Sequence, residues 1–194
     1  MPRIWLRHPR VAAPPGLCYG RLELDLAETA AEEITAALSA CLPCGAVWRS
    51  PALRCERLAG ALASRDGVSV VVDERLRELD FGDWEGRRWD GIDRAESDPW
   101  AADPLAVAPP GGEPFAAMLQ RVGALLEDPS LPDDAALVTH AGVIRAARML
   151  LEGVAFDEAF ATPVPYAAPL TIANGRARAD GSGEDHRGGG SWAT

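Results

Sequence analysis

Ala135-Ala136-Leu137-Val138-Thr139-His140-Ala141-Gly142-Val143-Ile144-Arg145 is the stretch that decides how this chain reads. Its first five residues form a short apolar run rich in strand formers, the signature of a buried strand. From Gly142 to Leu151 the pattern turns helical. Between the two lies Thr139-His140-Ala141-Gly142, a polar junction with no obvious packing purpose. A strand running directly into a helix is the repeating unit of parallel α/β sheets. Working outward, the unit recurs. Arg3 to Arg7 reads as a first strand, followed by a loop with Pro14, Pro15 and Gly16. Residues 26 to 42 have helical composition, with Ile34 and Leu38 on one face. Ala46 to Ser50 reads as a second strand, and Pro51 suits the first turn of a helix reaching about Arg65. Val68 to Val72, bounded by Gly67 and Asp73, reads as a third strand. A helix from Pro114 to about Glu127 leads back to the strand at Ala135, and Leu170 to Ala173 reads as a last strand.

The segment from Leu76 to Pro114 breaks this rhythm. It holds Trp84, Trp89, Trp100, many acids and Pro109-Pro110-Gly111-Gly112, and reads as an irregular excursion with a short helix near Trp89 to Glu96. Trp84 and Trp89 suit packing under a rim. Residues 175 to 194 are Gly, Ser, Arg and Asp without apolar periodicity, and read as a flexible tail that includes His186. The expectation is therefore one α/β domain over residues 1–174. It is a three-layer αβα sandwich with a mostly parallel central sheet and an active site at the C-terminal ends of the strands.

The chain has 194 residues, 47% hydrophobic and 25% charged, a globular balance. Its formal net charge of −10 argues against nucleic acid or an anionic membrane as the main partner. No run approaches the roughly 20 apolar residues of a membrane span. Arg3, Arg7 and Arg10 interrupt the apolar start, unlike a signal peptide, so the expectation is a cytoplasmic protein. All 19 basic residues are arginine. The absence of lysine excludes a Walker-type phosphate lysine, a pyridoxal Schiff base and a lysine aldolase. Cys41-Leu-Pro-Cys44 has metal or redox spacing but no second matching pair, with Cys18 and Cys55 elsewhere, so ordinary thiols are expected and no metal or cofactor.

Chemistry gathers where the strand patterns end: Leu6-Arg7-His8, Ser50-Pro51-Ala52-Leu53-Arg54 and Thr139-His140-Ala141-Gly142, with Glu78 shortly after the third strand. Two arginines offer forked, permanently charged donors for a tetrahedral oxyanion. A neutral imidazole can attack phosphorus, a second can stabilise the equatorial oxygens, and a carboxyl can protonate a leaving alcohol. Asp80, Asp83, Glu85 and Glu113 compete with Glu78 for that last role.

These motifs, with Glu78-Leu79-Asp80-Phe81-Gly82-Asp83-Trp84-Glu85-Gly86 and Pro110-Gly111-Gly112-Glu113 in order between them, resemble the histidine phosphatase superfamily, in its phosphoglycerate-mutase-like branch, over about residues 3 to 173. Within it, Cys18-Tyr19-Gly20-Arg21-Leu22-Glu23-Leu24-Asp25-Leu26 is similar to the α-ribazole phosphatases. The resemblance implies phosphomonoester hydrolysis through phosphohistidine without a metal. It matches His8 to the nucleophile, Arg7, Arg54 and His140 to the phosphate pocket, and Glu78 to the general acid/base. Tyr19, Gly20 and Arg21 fall where family members touch phosphate or substrate. The backbone at Ala141 and Gly142 suits phosphate at a helix N-terminus. A small phosphorylated metabolite is the implied partner, with α-ribazole 5′-phosphate as the specific expectation.

Two departures stand out. Pro9 follows His8 where the family usually has a small residue, which removes one N–H. Pro114 stands where Ser is common. Residues Arg10 to Ala13 also lack the Ser/Thr-x-x-Asn of many mutases. The alternatives are mutase-type phosphoryl transfer, a non-catalytic phospho-ligand or partner binder, and a cysteine-based metal or redox protein.

Overall fold

A computed structural model describes residues 2–173; the expected tail at 175–194 and the end of the expected domain at 174 lie outside the described residues. Four strands run parallel: β1 (Ile4–Arg7), β2 (Ala46–Arg49), β3 (Val70–Val72) and β4 (Ala135–Thr139). A fifth, β5 (Pro169–Thr171), runs antiparallel to β1, and the sheet order is β3-β2-β4-β1-β5. The register pairs Arg7 with Thr139 and Arg49 with Val138, so the ends of β1, β2 and β4 are level.

The alternation of side chains along the strands separates two cores. Ile4, Leu6, Val47, Ala136 and Val138 face α1 (Ala30–Ala40) and α2 (Leu53–Asp66), where Ile34, Leu58 and Leu62 are buried. Trp5, Trp48, Ala135 and Leu137 face α4 (Phe115–Leu126) and α5 (Ala141–Glu152), where Met118, Val122, Val143 and Ile144 are buried. Truncating one of these leucines to alanine costs about 2–5 kcal/mol. The chain moves outward through β1, β2 and β3, then returns to β4. Helices of the two legs therefore lie on opposite faces. Adjacent β1 and β4 send their following segments to opposite sides, and the crevice at their C-terminal ends is the switch point where such sheets bind ligands.

Most element boundaries follow the sequence pattern, with physical reasons for the shifts. The helix expected over 26–42 starts at Ala30, because Leu26 bridges Val11 and Ala27 N–H donates to Arg10 O. It ends before Leu42, which precedes Pro43 and is biased away from helix. Helix α2 starts at Leu53 rather than Pro51, and Ser50 Oγ accepts from Ala52 N–H just ahead of it. Val68 belongs to the closure of α2, its N–H reaching Ala63 O beside left-handed Gly67, so β3 is shorter than expected. Pro114 caps α4 from an extended conformation.

The excursion carries 3₁₀ turns at Glu74–Leu76, Gly82–Trp84 and Trp89–Gly91. Its helix, α3 (Arg94–Ala102), starts later than the expected Trp89, because Asp93 Oδ1 accepts from Ala95 N–H and sets the cap. Trp84 is fully buried with Cys18 and Ile92, and Phe81, Trp89 and Trp100 surround it edge-on or stacked. The sequence pattern did not mark α6 (Phe156–Ala161), a six-residue helix that packs Phe156 and Phe160 on Phe115.

Candidate active site

His8 leaves the end of β1 and is buried, its N–H donating to Thr139 O (2.8 Å) at the end of β4. His8 Nδ1 lies 2.7 Å from Pro9 O. A carbonyl only accepts, so Nδ1 carries the proton and Nε2 keeps its lone pair. The His140 ring stands edge-on to His8 with centroids 5.2 Å apart, fully buried at the start of α5. Ser50 Oγ, 2.8 Å from His140 Nε2, accepts from Ala52 N–H, which leaves its hydroxyl proton for His140. His140 Nδ1 then bears the hydrogen, and it is buried without a partner among the described residues.

Arg54, in the first turn of α2, is 1% exposed. Its guanidinium donates to Leu22 O (2.8 Å) and Gly20 O, while Nε has no partner. Arg7 donates to Val164 O (3.0 Å) and to Tyr166 Oη (2.8 Å), and its Nε is likewise unpartnered. Among the described residues neither arginine meets a carboxylate within ion-pair distance. A buried guanidinium without a counter-ion is costly, so this pocket is prepared for an anion.

The same burial acts on the imidazoles. Burial, then the charges of Arg54 and Arg7, lowers the His8 pKa to about 3 against a weaker opposing pull from Pro9 O. Burial, His8 and nearby arginines also hold His140 well below its ordinary value. Both histidines are neutral at pH 7. Their ordinary pKa is about 6.5, so the unfolded chain binds more protons below that value and stability falls as pH drops. His8 alone is expected to cost about 2 kcal/mol between pH 7 and pH 5. Urea midpoints at the two pH values check this, and an unchanged midpoint would contradict a neutral buried pair.

Glu78 sits in the loop after β3. Its Oε1 accepts from Leu79 N–H (2.9 Å) and Oε2 from Gly142 N–H (3.1 Å) at the start of α5. A Cβ at position 142 would lie 2.2 Å from Glu78 Oε1, so glycine there makes room for the carboxylate. Arg121 of α4 holds the loop, donating to Arg75 O (2.8 Å), Arg77 O (2.6 Å) and Glu78 O (3.2 Å). Of the competing acids, Asp83 is exposed and the other three have partners of their own. Asp80 and Glu113 pair with Arg21, Glu113 also with Arg121, and Glu85 accepts the N–H groups of Arg21, Leu22 and Phe81.

A histidine phosphatase family model, described as the superfamily's branch 1, matches residues 4–179. The chain belongs to the histidine phosphatase superfamily, branch 1. A Hydrogenobacter thermophilus protein provisionally named a phosphoserine phosphatase is 31% identical over 116 residues, 57% of each chain. A bifunctional Mycobacterium tuberculosis protein is 42% identical over 82 residues, 40% of this chain and 22% of that one. The chain thus spans little more than half, or less, of these curated relatives. Among solved structures, a mycobacterial glucosyl-3-phosphoglycerate phosphatase is 25% identical with a TM-score of 0.71, covering 85% of each chain. The α-ribazole phosphatase of Shigella flexneri shares the fold at 23% identity and a TM-score of 0.77, covering 91% of this chain and 97% of that one.

For a histidine phosphatase, Pro9 is a mild departure. Position 9 meets the His8 ring through its carbonyl, which proline retains. The structure brings Arg7, His8, Arg54, His140 and Glu78 to one end of the sheet. Tyr19 joins them through Tyr166, their hydroxyls 3.3 Å apart, and burial first pushes the Tyr19 phenol up to about 12. Gly20 presents its carbonyl to Arg54 and fits where a Cβ would strike Leu79 O at 1.9 Å. Arg21 is held by Asp80 (3.0 Å) and Glu113 (3.2 Å). The Gly142 N–H goes to Glu78, and Ala141 is buried beside it. Cys41 and Cys44 are buried near α1 and α2, with Cys44 Sγ on Asp66 Oδ2 (3.2 Å).

Sequence reasoning missed Tyr166, Ser50 and Arg121. Tyr166 ties Arg7 in place and lies edge-on to His8 (5.7 Å), yet its only sequence signal is a tyrosine in a proline-bearing loop before β5. Ser50 was visible as the first residue of Ser-Pro-x-x-Arg but carried no assigned role.

Proposed function

We propose that this protein hydrolyses small phosphomonoesters through a phosphohistidine at His8. The observation that carries the reading is the pair of buried Arg54 and half-buried Arg7, each with a shielded, unpartnered Nε and no carboxylate within ion-pair distance, around a neutral imidazole. Their free donors, with His140 Nδ1–H, hold the phosphoryl oxygens. The His8 Nε2 lone pair attacks phosphorus in line, and the bond to the ester oxygen breaks. Glu78 gives its proton to the departing oxygen, then takes one from the water that attacks phosphohistidine. The N–P bond breaks, inorganic phosphate leaves and His8 regains its lone pair. Burial first, then His8 and the arginine charges, keeps His140 neutral, and an entering dianion offsets the arginine part and favours its protonation.

The Cys18–Leu26 segment makes α-ribazole 5′-phosphate one substrate to try. Mutase transfer differs in outcome: the phosphoryl group returns to a bound product instead of water. Incubation with labelled esters in excess EDTA, followed by an alkaline quench, tests the reading. The expected result is free phosphate together with an acid-labile, alkali-stable phosphoenzyme. Phosphorylated organic product without free phosphate would favour the mutase, and no turnover with any ester would leave a binder.

A further inference from the structure

Among the described residues every arginine except Arg7, Arg54, Arg57 and Arg145 pairs with a carboxylate. Arg7 and Arg54 line the phosphate pocket, and Arg57 is exposed on α2, where water satisfies it. Arg145 is different. It is half-buried, its Nε is fully shielded and unpartnered, and its guanidinium rests over the Phe160 ring at 4.7 Å. Arg148, one turn further along α5, pairs with Glu152 at 2.8 Å in the ordinary way. Beside Arg7 and Arg54 the fold thus keeps a third shielded arginine with no carboxylate within ion-pair distance, and that is a cost unless an anion arrives.

Its position indicates which anion. Arg145 lies three residues after Gly142, on the same face of α5, and the Gly142 N–H holds Glu78. Glu78 therefore sits at the start of the helix that carries Arg145, near enough for its charge to act on the guanidinium. Leu79, which follows Glu78, and Phe160, under the Arg145 guanidinium, both line an apolar cavity of about 240 Å³ together with Phe156. Burial lowers the Arg145 pKa, and Glu78 and Arg7 both act on its charge, which agrees with a place beside the reacting groups. Apolar walls weaken screening, so an ion pair formed here is stronger than one at the surface.

We propose that Arg145 binds a second anionic group, a carboxylate or another phosphoryl group, carried by the leaving alcohol. The preferred substrates are then phosphomonoesters of acidic alcohols. This rests on the phosphatase reading, and a matched pair of esters separates the two. 3-Phosphoglycerate and glycerol 3-phosphate differ by a carboxylate in place of a hydroxymethyl group. The wild type should favour 3-phosphoglycerate in kcat/KM by tenfold or more. Arg145→Gln should bring that ratio near one, chiefly by raising KM for 3-phosphoglycerate, and Arg145→Lys should restore part of it. Phosphate release from both esters at equal kcat/KM, or an equal fall on both in Arg145→Gln with a shifted pH profile, would overturn the assignment and leave the phosphatase reading intact. The second result would make Arg145 a positioning residue for Glu78. The wild-type comparison needs no variant to fold. No release from either ester, nor from p-nitrophenyl phosphate, would overturn both readings.

Discussion

His8→Ala is expected to lower phosphate release by about four orders of magnitude or more, because it removes the proposed nucleophile. No other described group can replace it. His140 Nε2 is tied to Ser50 Oγ, and Cys55, whose Sγ lies 3.9 Å from that nitrogen, has its thiol pushed up to about 12, first by burial. The variant should still fold, since the ring makes one side-chain hydrogen bond, to its own neighbour's carbonyl, and the backbone link to Thr139 remains. Phosphate binding should largely survive, because Arg7 and Arg54 are untouched. The decisive measurement is single-turnover labelling beside calorimetric binding of inorganic phosphate. Residual turnover near the wild-type level would place the nucleophile elsewhere.

Glu78→Gln should separate esters by their leaving groups. An alkoxide needs a proton to depart, so alkyl phosphates are expected to lose about 10²–10⁴-fold in kcat. p-Nitrophenolate leaves without one, so the first step with p-nitrophenyl phosphate should proceed. The second step still lacks a base for water. The variant should therefore release a burst of p-nitrophenolate approaching one per active site, then turn over slowly. Stopped-flow absorbance reads this directly. Equal losses on alkyl and aryl esters with no burst would remove Glu78 from the proton-transfer role. The amide keeps an oxygen to accept one of the two N–H groups that hold the carboxylate, which limits rearrangement of the loop.

Both expectations rest on residues that the sequence brought forward, and the reason is local. His8 and His140 each follow a strand of high apolar content, and the rule that α/β sheets work at their carboxyl edge turns two strand ends into one pocket. The rule could not choose among five acids. That choice depends on tertiary partners: Arg21 reaches Asp80 and Glu113 from far along the chain, backbone N–H groups hold Glu85, and Asp83 is exposed. Tyr166 was invisible for the same reason, since its partner Arg7 lies in the opposite end of the sequence. Helix α6 gave no clear period because six residues hold fewer than two turns. For Arg145 the sequence leaves a place around the pocket and a helix-surface ion pair equally open, and the structure shows no carboxylate within ion-pair distance of it. Ends of elements moved where a tertiary bond overrode a local pattern, as Leu26 did on meeting Val11.

The order of the strands also sets when the pocket can exist. β1 lies between β4 and β5, so among the described strands the earliest in the sequence has neighbours only from the last third of the given sequence. At about 5–20 residues per second, Ile4 and Leu6 wait roughly 7–26 seconds before Ala136 can pair beside them. Contacts of such long sequence separation are slow to form. During that interval an apolar strand carrying His8 is without its sheet, and Arg7 is without Tyr166. A nascent chain that stops before β4 therefore holds His8, the proposed nucleophile, without the strand and the His140 that complete its pocket.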